Sequence, residues 1–319
     1  MVIVDFLTTN ILAVFSYFED ANKRTFWLYL ASALLLAIPA YFINQKSRGV
    51  VAFFAYVFPK SVYSAHSARQ DYALLILNKL VKAALFPLVI FTMAPIALAI
   101  SSSLEFVFGQ REFIALSPFS IMVIFTIILF LFDDFTRFYL HYLLHRVPML
   151  WAFHKVHHSA TVLTPFTIYR SHPLENYLYA CRMAITQGAA VGIGYYLFGP
   201  TLKMIDILGA NFFVFLFNLF GSNLRHSHIW LSWGDRIENW LISPAQHQVH
   251  HSNKAKHHHR NFGSALAIWD RLFKTHILAS QVGKITFGLS DPRVDHSSIA
   301  KIYYRPFVDV MNRIKSKRR

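Results

Sequence analysis

Charged residues and cysteine are both scarce in this chain of 319 residues. Only 15% of the residues are charged, whereas an ordinary soluble domain carries about a quarter. The single cysteine, Cys181, excludes an internal disulfide, a cysteine zinc site and a cysteine-ligated iron–sulfur cluster. The N-terminal sequence lacks a basic segment before its apolar stretch, so a cleaved signal peptide is not expected.

Apolar residues take the place of the missing charge. Hydrophobic residues make up 55% of the chain and aromatic residues 16%, more than a soluble core of this size can bury. Five charge-free runs are long enough to cross a bilayer as helices: Phe26–Ile43, Ala83–Leu104, Phe113–Phe132, Met183–Leu202 and Ile207–Leu224. The sequence therefore predicts an all-α, polytopic transmembrane helical bundle with about four to five spans, carrying a cytoplasmic helical cap with a histidine-rich dimetal site.

The chain shows no internal repeat, low-complexity segment or Pro/Gly linker, so we expect it to fold as one domain. Within it we distinguish an N-terminal transmembrane region (1–132), a catalytic region (133–275) and a basic cytoplasmic tail (276–319). The catalytic region includes a predicted transmembrane hairpin (183–224), whose glycines suit close helix packing.

The distribution of Lys and Arg predicts the orientation in the membrane. Basic residues are frequent between the first two runs, whereas Arg111 is alone between the second and third; the positive-inside rule then places the former segment in the cytoplasm. From Gly221 onward there are 16 Lys and Arg against 6 Asp and Glu, so the tail is also expected there. Because the positive charge follows membrane topology, nucleic-acid binding is rejected.

Histidine is the most unevenly distributed residue. Of 17 histidines, 14 lie between His141 and His259, and the isolated His66, His276 and His296 are expected to be surface or capping residues. The clustered ones include a His-x-x-x-His pair and two His-x-x-His-His sequences. On a helix such spacings share one face, so each cluster is expected to aim its imidazoles at one point. The predicted spans place the clusters on the same side of the membrane. Eight or nine imidazoles exceed the four ligands of tetrahedral zinc and match two metal ions.

The ordered motifs in this region resemble those of the integral-membrane fatty acid hydroxylase and sterol desaturase superfamily. They run from about Asp134 to Thr275 and include Pro148 to Ser159, Arg170 to Glu175, Ser243 to His251 and Asn261 to Gly263. Tyr142 and Lys274 depart from residues that are frequent in the family, without touching a ligand position.

The resemblance implies a non-haem di-iron centre that uses O₂ to hydroxylate or desaturate a lipid, whether fatty acyl, sterol-like or ether lipid. The ligands that it implies are His141, His145, His154, His157, His158, His226, His247, His250 and His251. Supporting residues or additional ligands are expected among Asp134, His172, His228, His258, His259 and Asn261. Asp134 lies two helical turns before His141 and could accept the N–H of a metal-bound imidazole. Electrons must come from a separate cytochrome, ferredoxin or reductase.

Two other classes compete with a lipid oxygenase. The first is a membrane metal transporter or a zinc hydrolase. A membrane metal transporter would favour ionisable residues within the spans, and these are almost absent. A zinc hydrolase would be favoured by a His-Glu-x-x-His sequence, which the chain lacks. The second class is a structural or binding membrane protein with histidines that no longer serve a reaction, and loss of bound metal without any change in lipids would support it.

Overall fold

The computed structural model describes residues 2–45, 49–89, 92–291 and 294–317. Helices dominate these residues, with one two-stranded antiparallel sheet pairing β1 (Asp206–Ile207) with β2 (Ala210–Asn211). The helices are α1 (Val2–Leu12), α2 (Trp27–Asn44), α3 (Val50–Val57), α4 (Lys60–Tyr63), α5 (His66–Val89), α6 (Met93–Phe108), α7 (Pro118–Arg146), α8 (Pro148–His158), α9 (Pro173–Phe198), α10 (Phe212–Leu219), α11 (Asp235–Glu238), α12 (Pro244–His250), α13 (Ile268–Leu272) and α14 (Ile299–Lys317).

Helix α7 is the one described helix that is both long and apolar enough to cross a membrane. Only 22% of its most apolar window is buried inside the molecule, so most of its side chains keep part of their surface exposed, unlike those of a core helix. Shorter apolar helices occur at Ile3–Phe18, Trp27–Ile43, Val50–Tyr63 and Met93–Phe108. The outward apolar surface is what a lipid environment would cover.

Three of the predicted runs differ in extent from the helices. The run Ala83–Leu104 is divided between α5 and α6, and its residues 90 and 91 lie outside the described part. The last run, Ile207–Leu224, is not a single spanning helix, because the β1–β2 turn occupies its start and α10 has only 8 residues. The run Phe113–Phe132 becomes helical only at Pro118. The length of a charge-free run does not show where a helix begins or ends, so the sequence did not predict these differences.

The glycines of α9 allow close packing, but against a different partner from the predicted one. A Cβ atom on Gly188 would lie 2.7 Å from Ile96, and one on Gly192 would lie 2.6 Å from the carbonyl oxygen of Ala97. Both contacts are with α6, which runs along α9. The close approach therefore joins α6 to α9 instead of forming a hairpin between the last two runs.

The remaining packing holds the histidine-bearing helices against each other. Helix α7 contacts both α8 and α9, and α14 lies on α8. Leu74, Val156 and Ile302 form a buried cluster that joins α5, α8 and α14. This packing matters for the site, because α7 ends and α9 begins beside α8.

Candidate metal centre

The predicted ligands lie at or near the ends of a few short elements. His141 and His145 occupy the last turns of α7, and α8 carries the next three histidines. His226 ends the 3₁₀ turn Ser222–His226. Helix α12 and the residue after it carry the remaining three. Four chain segments that are distant in sequence therefore supply the imidazoles.

Proline fixes where these helices begin. Pro118, Pro148 and Pro244 each occupy the first turn of their helix, where proline's fixed φ is suitable and its missing N–H costs nothing. Val147 ends α7 and also precedes α8, so the chain turns sharply between them. Ser243 caps α12 by accepting from the backbone N–H of Gln246 at 3.1 Å.

The structure brings the nine predicted histidines together in two groups, each with one ring nitrogen per residue within 4.8 Å of the others. The five-histidine group consists of His141, His145, His154, His158 and His250. The four-histidine group consists of His157, His226, His247 and His251. That these residues bind metal stays a prediction; their assembly is a property of the fold.

The expectation that each His-x-x-His-His sequence converges on one point is wrong. His154 and His158 belong to the five-histidine group, whereas His157 between them belongs to the other. In the second sequence the two groups are exchanged: His247 and His251 belong to the four-histidine group, and His250 belongs to the five-histidine group. Residues i and i+4 share a helix face, whereas i+3 is offset from them to one side. Each sequence therefore serves both groups.

Hydrogen bonds orient several of the rings. The Nδ1 atoms of His141, His157 and His250 face the carbonyl oxygens of Phe262, Arg170 and Arg260 at 2.9, 3.2 and 2.8 Å. His154 Nδ1 lies 2.9 Å from Glu175 Oε1. Carbonyl oxygens and an ionised carboxylate can only accept, so with Glu175 ionised each Nδ1 donates and the Nε2 lone pair is left to bind a metal.

Four of the Nε2 atoms in the five-histidine group have no hydrogen-bond partner among the described residues. They are buried and belong to His145, His154, His158 and His250. A buried polar atom without a partner costs free energy unless something else binds it. Four such nitrogens converging on one point fit a metal ion.

The four-histidine group fits an ion by the spacing of its nitrogens. The Nε2 atoms of His226, His247 and His251 lie 3.1, 3.1 and 3.2 Å from one another. With metal–nitrogen bonds of about 2.1 Å, adjacent ligands lie about 3.0 Å apart in an octahedron and about 3.4 Å apart in a tetrahedron. The observed separations fit three adjacent positions around one ion.

Burial keeps these imidazoles neutral near pH 7. It lowers the pKa of His154 to about 3 and that of His157 to about 4. Burial also holds the pKa of His226, His247 and His251 well below the usual range; the next cause is His157 for His226 and His251, and Arg225 for His247. Neutral imidazole is the form that binds iron, copper, zinc or nickel.

Asp134 supports the site through the loop that follows α12. Its carboxylate accepts from the backbone N–H groups of Ala265 and Leu266 at 2.8 and 3.1 Å and from Trp269 Nε1 at 2.9 Å. It does not accept from His141, the partner that the helical spacing suggested. Instead it anchors the loop whose Phe262 carbonyl accepts from His141.

Asn261 acts on the same loop. Its φ of 54° is in the left-handed region that Asn tolerates better than most residues. Its Nδ2 atom donates to the carbonyl oxygens of Gln246 and Ile277 at 3.1 and 3.0 Å. The side chain therefore braces the backbone between two carbonyls that face histidines, those of Arg260 and Phe262.

The other four candidates lie outside both groups. His172 caps α9, because its Nδ1 accepts from Leu174 N–H at 3.1 Å, and its Nε2 faces the Tyr303 carbonyl at 3.0 Å. His228 Nε2 donates to the Tyr56 carbonyl at 2.7 Å. His258 is exposed, and the His259 ring lies 6.0 Å from that of His145.

Two partners of the ligands are clear only in the structure. From the sequence, Pro173 and Glu175 beside His172 suggest a turn-forming or supporting role as readily as ligation, and in the structure Glu175 binds His154. Its place three residues after the His172 cap, in the first turn of α9, was the available signal. Arg225 donates to His247 Nδ1 at 3.1 Å and to the carbonyl oxygens of Gly263 and Ser264 at 3.0 and 2.8 Å. Its position directly before His226 was the only hint.

A buried ion pair fixes the segment that faces His157. Arg170 is 1% exposed and Asp71 is fully buried, and Arg170 Nε lies 2.6 Å from Asp71 Oδ1. The Arg170 guanidinium also donates to Ser159 Oγ at 2.9 Å. This pair joins α5 to the turn after α8, and breaking it would leave a buried charge without compensation.

The nine imidazoles separate two cavities. The first cavity has a volume of about 250 Å³ and is lined by His141, His154, His157, His226 and His247 together with Arg24, Arg137 and Arg225. The second cavity has a volume of about 450 Å³ and is lined by His145, His158, His250 and His251 together with Arg146, Lys155, His258, His259 and Arg313. Ligands could therefore reach the centre from two sides.

Comparison with known proteins identifies the region that contains the site. Residues 126–275 match the fatty acid hydroxylase family. An alkylglycerol monooxygenase of Danio rerio is 29% identical over 167 residues, covering 51% of this chain and 32% of that protein. The chain thus spans about a third of the length of this curated relative.

Two further relatives carry other lipid activities in their names. An ornithine lipid hydroxylase of Rhizobium tropici is 28% identical over 142 residues, covering 44% of this chain and 38% of that protein. A Delta(7)-sterol 5(6)-desaturase of Eremothecium gossypii is 30% identical over 142 residues, covering 44% of this chain and 34% of that protein. No solved structure matches the chain significantly.

Proposed function

Because residues 126–275 match the fatty acid hydroxylase family, we propose that this chain is a membrane-bound, non-haem iron oxidoreductase that hydroxylates or desaturates a lipid with O₂. The observation that carries the proposal is the assembly of nine neutral imidazoles in two groups inside that region. The names of the relatives indicate oxidation of an alkylglycerol, an ornithine lipid and a sterol.

The five-histidine and four-histidine groups would each hold one iron ion. Five nitrogen donors exceed the four of a tetrahedral zinc site, and an all-imidazole set suits iron. Bound iron would supply the redox chemistry that attacks an unactivated C–H bond, which redox-inert zinc cannot supply. The carbonyls of Phe262, Arg170 and Arg260 and the carboxylate of Glu175 would fix the rings so that each Nε2 faces its ion.

The stoichiometry requires an external electron donor. Hydroxylation inserts one oxygen atom of O₂ into a C–H bond and reduces the other to water, which consumes two electrons and two protons. The single cysteine of the chain cannot ligate an iron–sulfur cluster. We propose that a cytochrome, ferredoxin or reductase delivers the electrons.

We also propose that the chain crosses the membrane several times with its histidines on the cytoplasmic side. Only 22% of the apolar window of α7 is buried inside the molecule, and the large side chains of Ile43, Val51 and Phe106 are 82%, 84% and 90% exposed. Because the histidines lie at the C-terminal end of α7, a lipid tail beside this helix could reach them without leaving the hydrocarbon.

Metal content and lipid products together test the proposal. Purified full-length protein should contain about two iron ions per chain, measured by plasma mass spectrometry. Lipid extracts of cells with and without the protein should then differ. A product with one more oxygen atom indicates hydroxylation, a loss of two hydrogen atoms indicates desaturation, and a released aldehyde indicates cleavage of an ether lipid. Full turnover by a stringently iron-free preparation would refute the proposal.

A further inference from the structure

A third cavity, partly lined by residues of the candidate membrane span, shares part of its wall with the first. The third cavity has a volume of about 260 Å³ and shares Arg24, Arg137, Ile168 and Ser264 with the first. Its other walls include Phe130 of α7 and Phe217 of α10. The first and third cavities, taken together as the joined cavity, therefore place Arg24 and Arg137 between the imidazoles and a mixed wall of polar and aromatic side chains.

Arg24 has no anionic partner in the part of the chain that the structure describes. Its guanidinium makes neither an ion pair nor a hydrogen bond there, and it lies 5.9 Å from the centre of the Phe217 ring. Burial, followed by repulsion from Arg137, lowers the pKa of Arg24 to about 10. A guanidinium held in such a cavity without a carboxylate favours the entry of an anion.

The neighbouring arginines add to this positive charge. Arg225 lies 5.4 Å from the same Phe217 ring and bonds only carbonyl oxygens and an imidazole. Arg137 is paired with Asp133 at 3.0 Å, but Asp133 also pairs with Arg182 at 2.9 Å. One carboxylate is thus shared by two guanidinium groups, which leaves further positive charge uncompensated.

The other acidic side chains along this space form hydrogen bonds with groups other than the arginines. Both oxygens of Asp134 accept hydrogen bonds from residues 265–269. Glu175 binds His154. Neither carboxylate therefore pairs with Arg24 or Arg225, whose guanidinium groups line this space beside the metal centre.

We infer that this joined cavity binds the anionic end of an amphiphile, a phosphate or a carboxylate, with Arg24 as its main contact. The inference rests on the proposed function, because it names the class of lipid that the centre would oxidise. Arg24 and five of the imidazoles line the same cavity of about 250 Å³. The oxidised carbon therefore lies near the charged end of the lipid and not at the far end of its tail.

Binding of matched lipids tests the inference without requiring turnover. Hexadecyl phosphate, palmitate and hexadecanol have the same chain length and differ in the charge of the head. Their equilibrium binding to the detergent-solubilised holoprotein should favour the two anions over the alcohol by about tenfold or more, because hydrogen bonds to charged groups contribute more than neutral ones. Whichever anion binds more tightly identifies the head group.

Substitution of Arg24 locates the contact. Arg24→Gln should lower the affinity for the preferred anion about ten- to hundredfold and change the affinity for hexadecanol by less than about twofold. Arg24→Lys should retain part of the preference, because it keeps the charge without the planar guanidinium. Arg236→Gln removes an exposed arginine of α11 and should leave all three affinities unchanged.

Three results would overturn the inference: equal binding of alcohol and anions, an equal loss for all ligands in Arg24→Gln, or inorganic phosphate binding as tightly as hexadecyl phosphate. The last result would indicate a site for a free anion instead of a lipid. If Arg24→Gln does not fold, the inference is still tested by the wild-type preference for anions over the alcohol and by the reduction of that preference in Arg24→Lys. Iron content and oxidised products, measured separately, show whether the proposed function itself fails.

Discussion

Adjacent histidines in this chain serve different metal positions. His157 and His158 are neighbours in α8, yet the first belongs to the four-histidine group and the second to the five-histidine group. Successive residues of a helix point about 100° apart, so two neighbours cannot reach the same ion. The pair therefore allows each group to be perturbed separately.

Single alanine substitutions should remove iron from one group at a time. His247→Ala takes one of four donors from its group, and His158→Ala takes one of five from the other. We expect each to lower the iron content from about two ions per chain toward one, with a larger loss for His247→Ala because fewer ligands remain. Exposed His258 provides the control, and His258→Ala should retain the wild-type content. Unchanged iron in both test variants would contradict the assignment.

His296 shows how burial changes the role of an isolated histidine. The expectation that it is a surface or capping residue is wrong, because it is 7% exposed and neither ring nitrogen has a partner among the described residues. Burial, followed by Lys155 and Arg170, lowers its pKa to about 4, although Asp309 and Asp295 oppose that shift. The folded protein therefore holds this ring neutral.

This depressed pKa predicts a loss of stability in acid. The unfolded chain protonates His296 near pH 6.5, whereas the folded chain resists until about pH 4. The stabilisation is therefore complete above pH 6.5 and is lost as the pH falls toward 4. Wild type should lose about 2 kcal/mol more than His296→Leu between pH 7 and 5. Thermal unfolding at both pH values measures this, and parallel losses in the two proteins would contradict it.

At the scale of helices, the sequence predicted the composition of the site better than the extent of the elements. Two apolar runs overlap α7 and α9, and the ligand set that the resemblance implies contains every residue of the two groups. The partition of each His-x-x-His-His sequence was missed, because it depends on how α8 and α12 face each other. The partners Glu175 and Arg225 were underrated for the same reason, since their role depends on contacts between segments distant in the chain.

The close packing of α6 on α9 predicts that a larger residue at Gly192 destabilises the protein. Gly192→Ala would place a Cβ atom 2.6 Å from the Ala97 carbonyl oxygen, and backbone cannot move aside as a flexible side chain can. We expect a loss of about 1–3 kcal/mol, the usual cost of overpacking, seen as a lower Tm. Gly283→Ala is the matched control, because nothing lies within 4 Å of its added Cβ. Equal Tm values for the two variants would refute the close approach.

At the scale of the whole molecule, the site lies at one end of α7 and the two cavities approach it from different directions. The arginine-lined space extends along α7 past Phe130, whereas the second cavity is bordered by Lys155 and Arg313. If the first space admits the lipid, the second is left for O₂, water and the electron donor. The proposed cytoplasmic orientation is then consistent with a soluble donor docking on the basic side.

Labelling of single cysteines tests this orientation. In a Cys181→Ser background, Glu112→Cys places an exposed thiol before α7, at the end opposite the histidines, and Arg236→Cys places one in α11. Since the positive-inside rule puts the histidine end in the cytoplasm, a membrane-impermeant maleimide should label intact cells only through Glu112→Cys. Permeabilised cells should be labelled through both, which controls for thiol reactivity. Labelling of Arg236→Cys in intact cells would reverse the orientation and place the electron donor on the opposite side of the membrane.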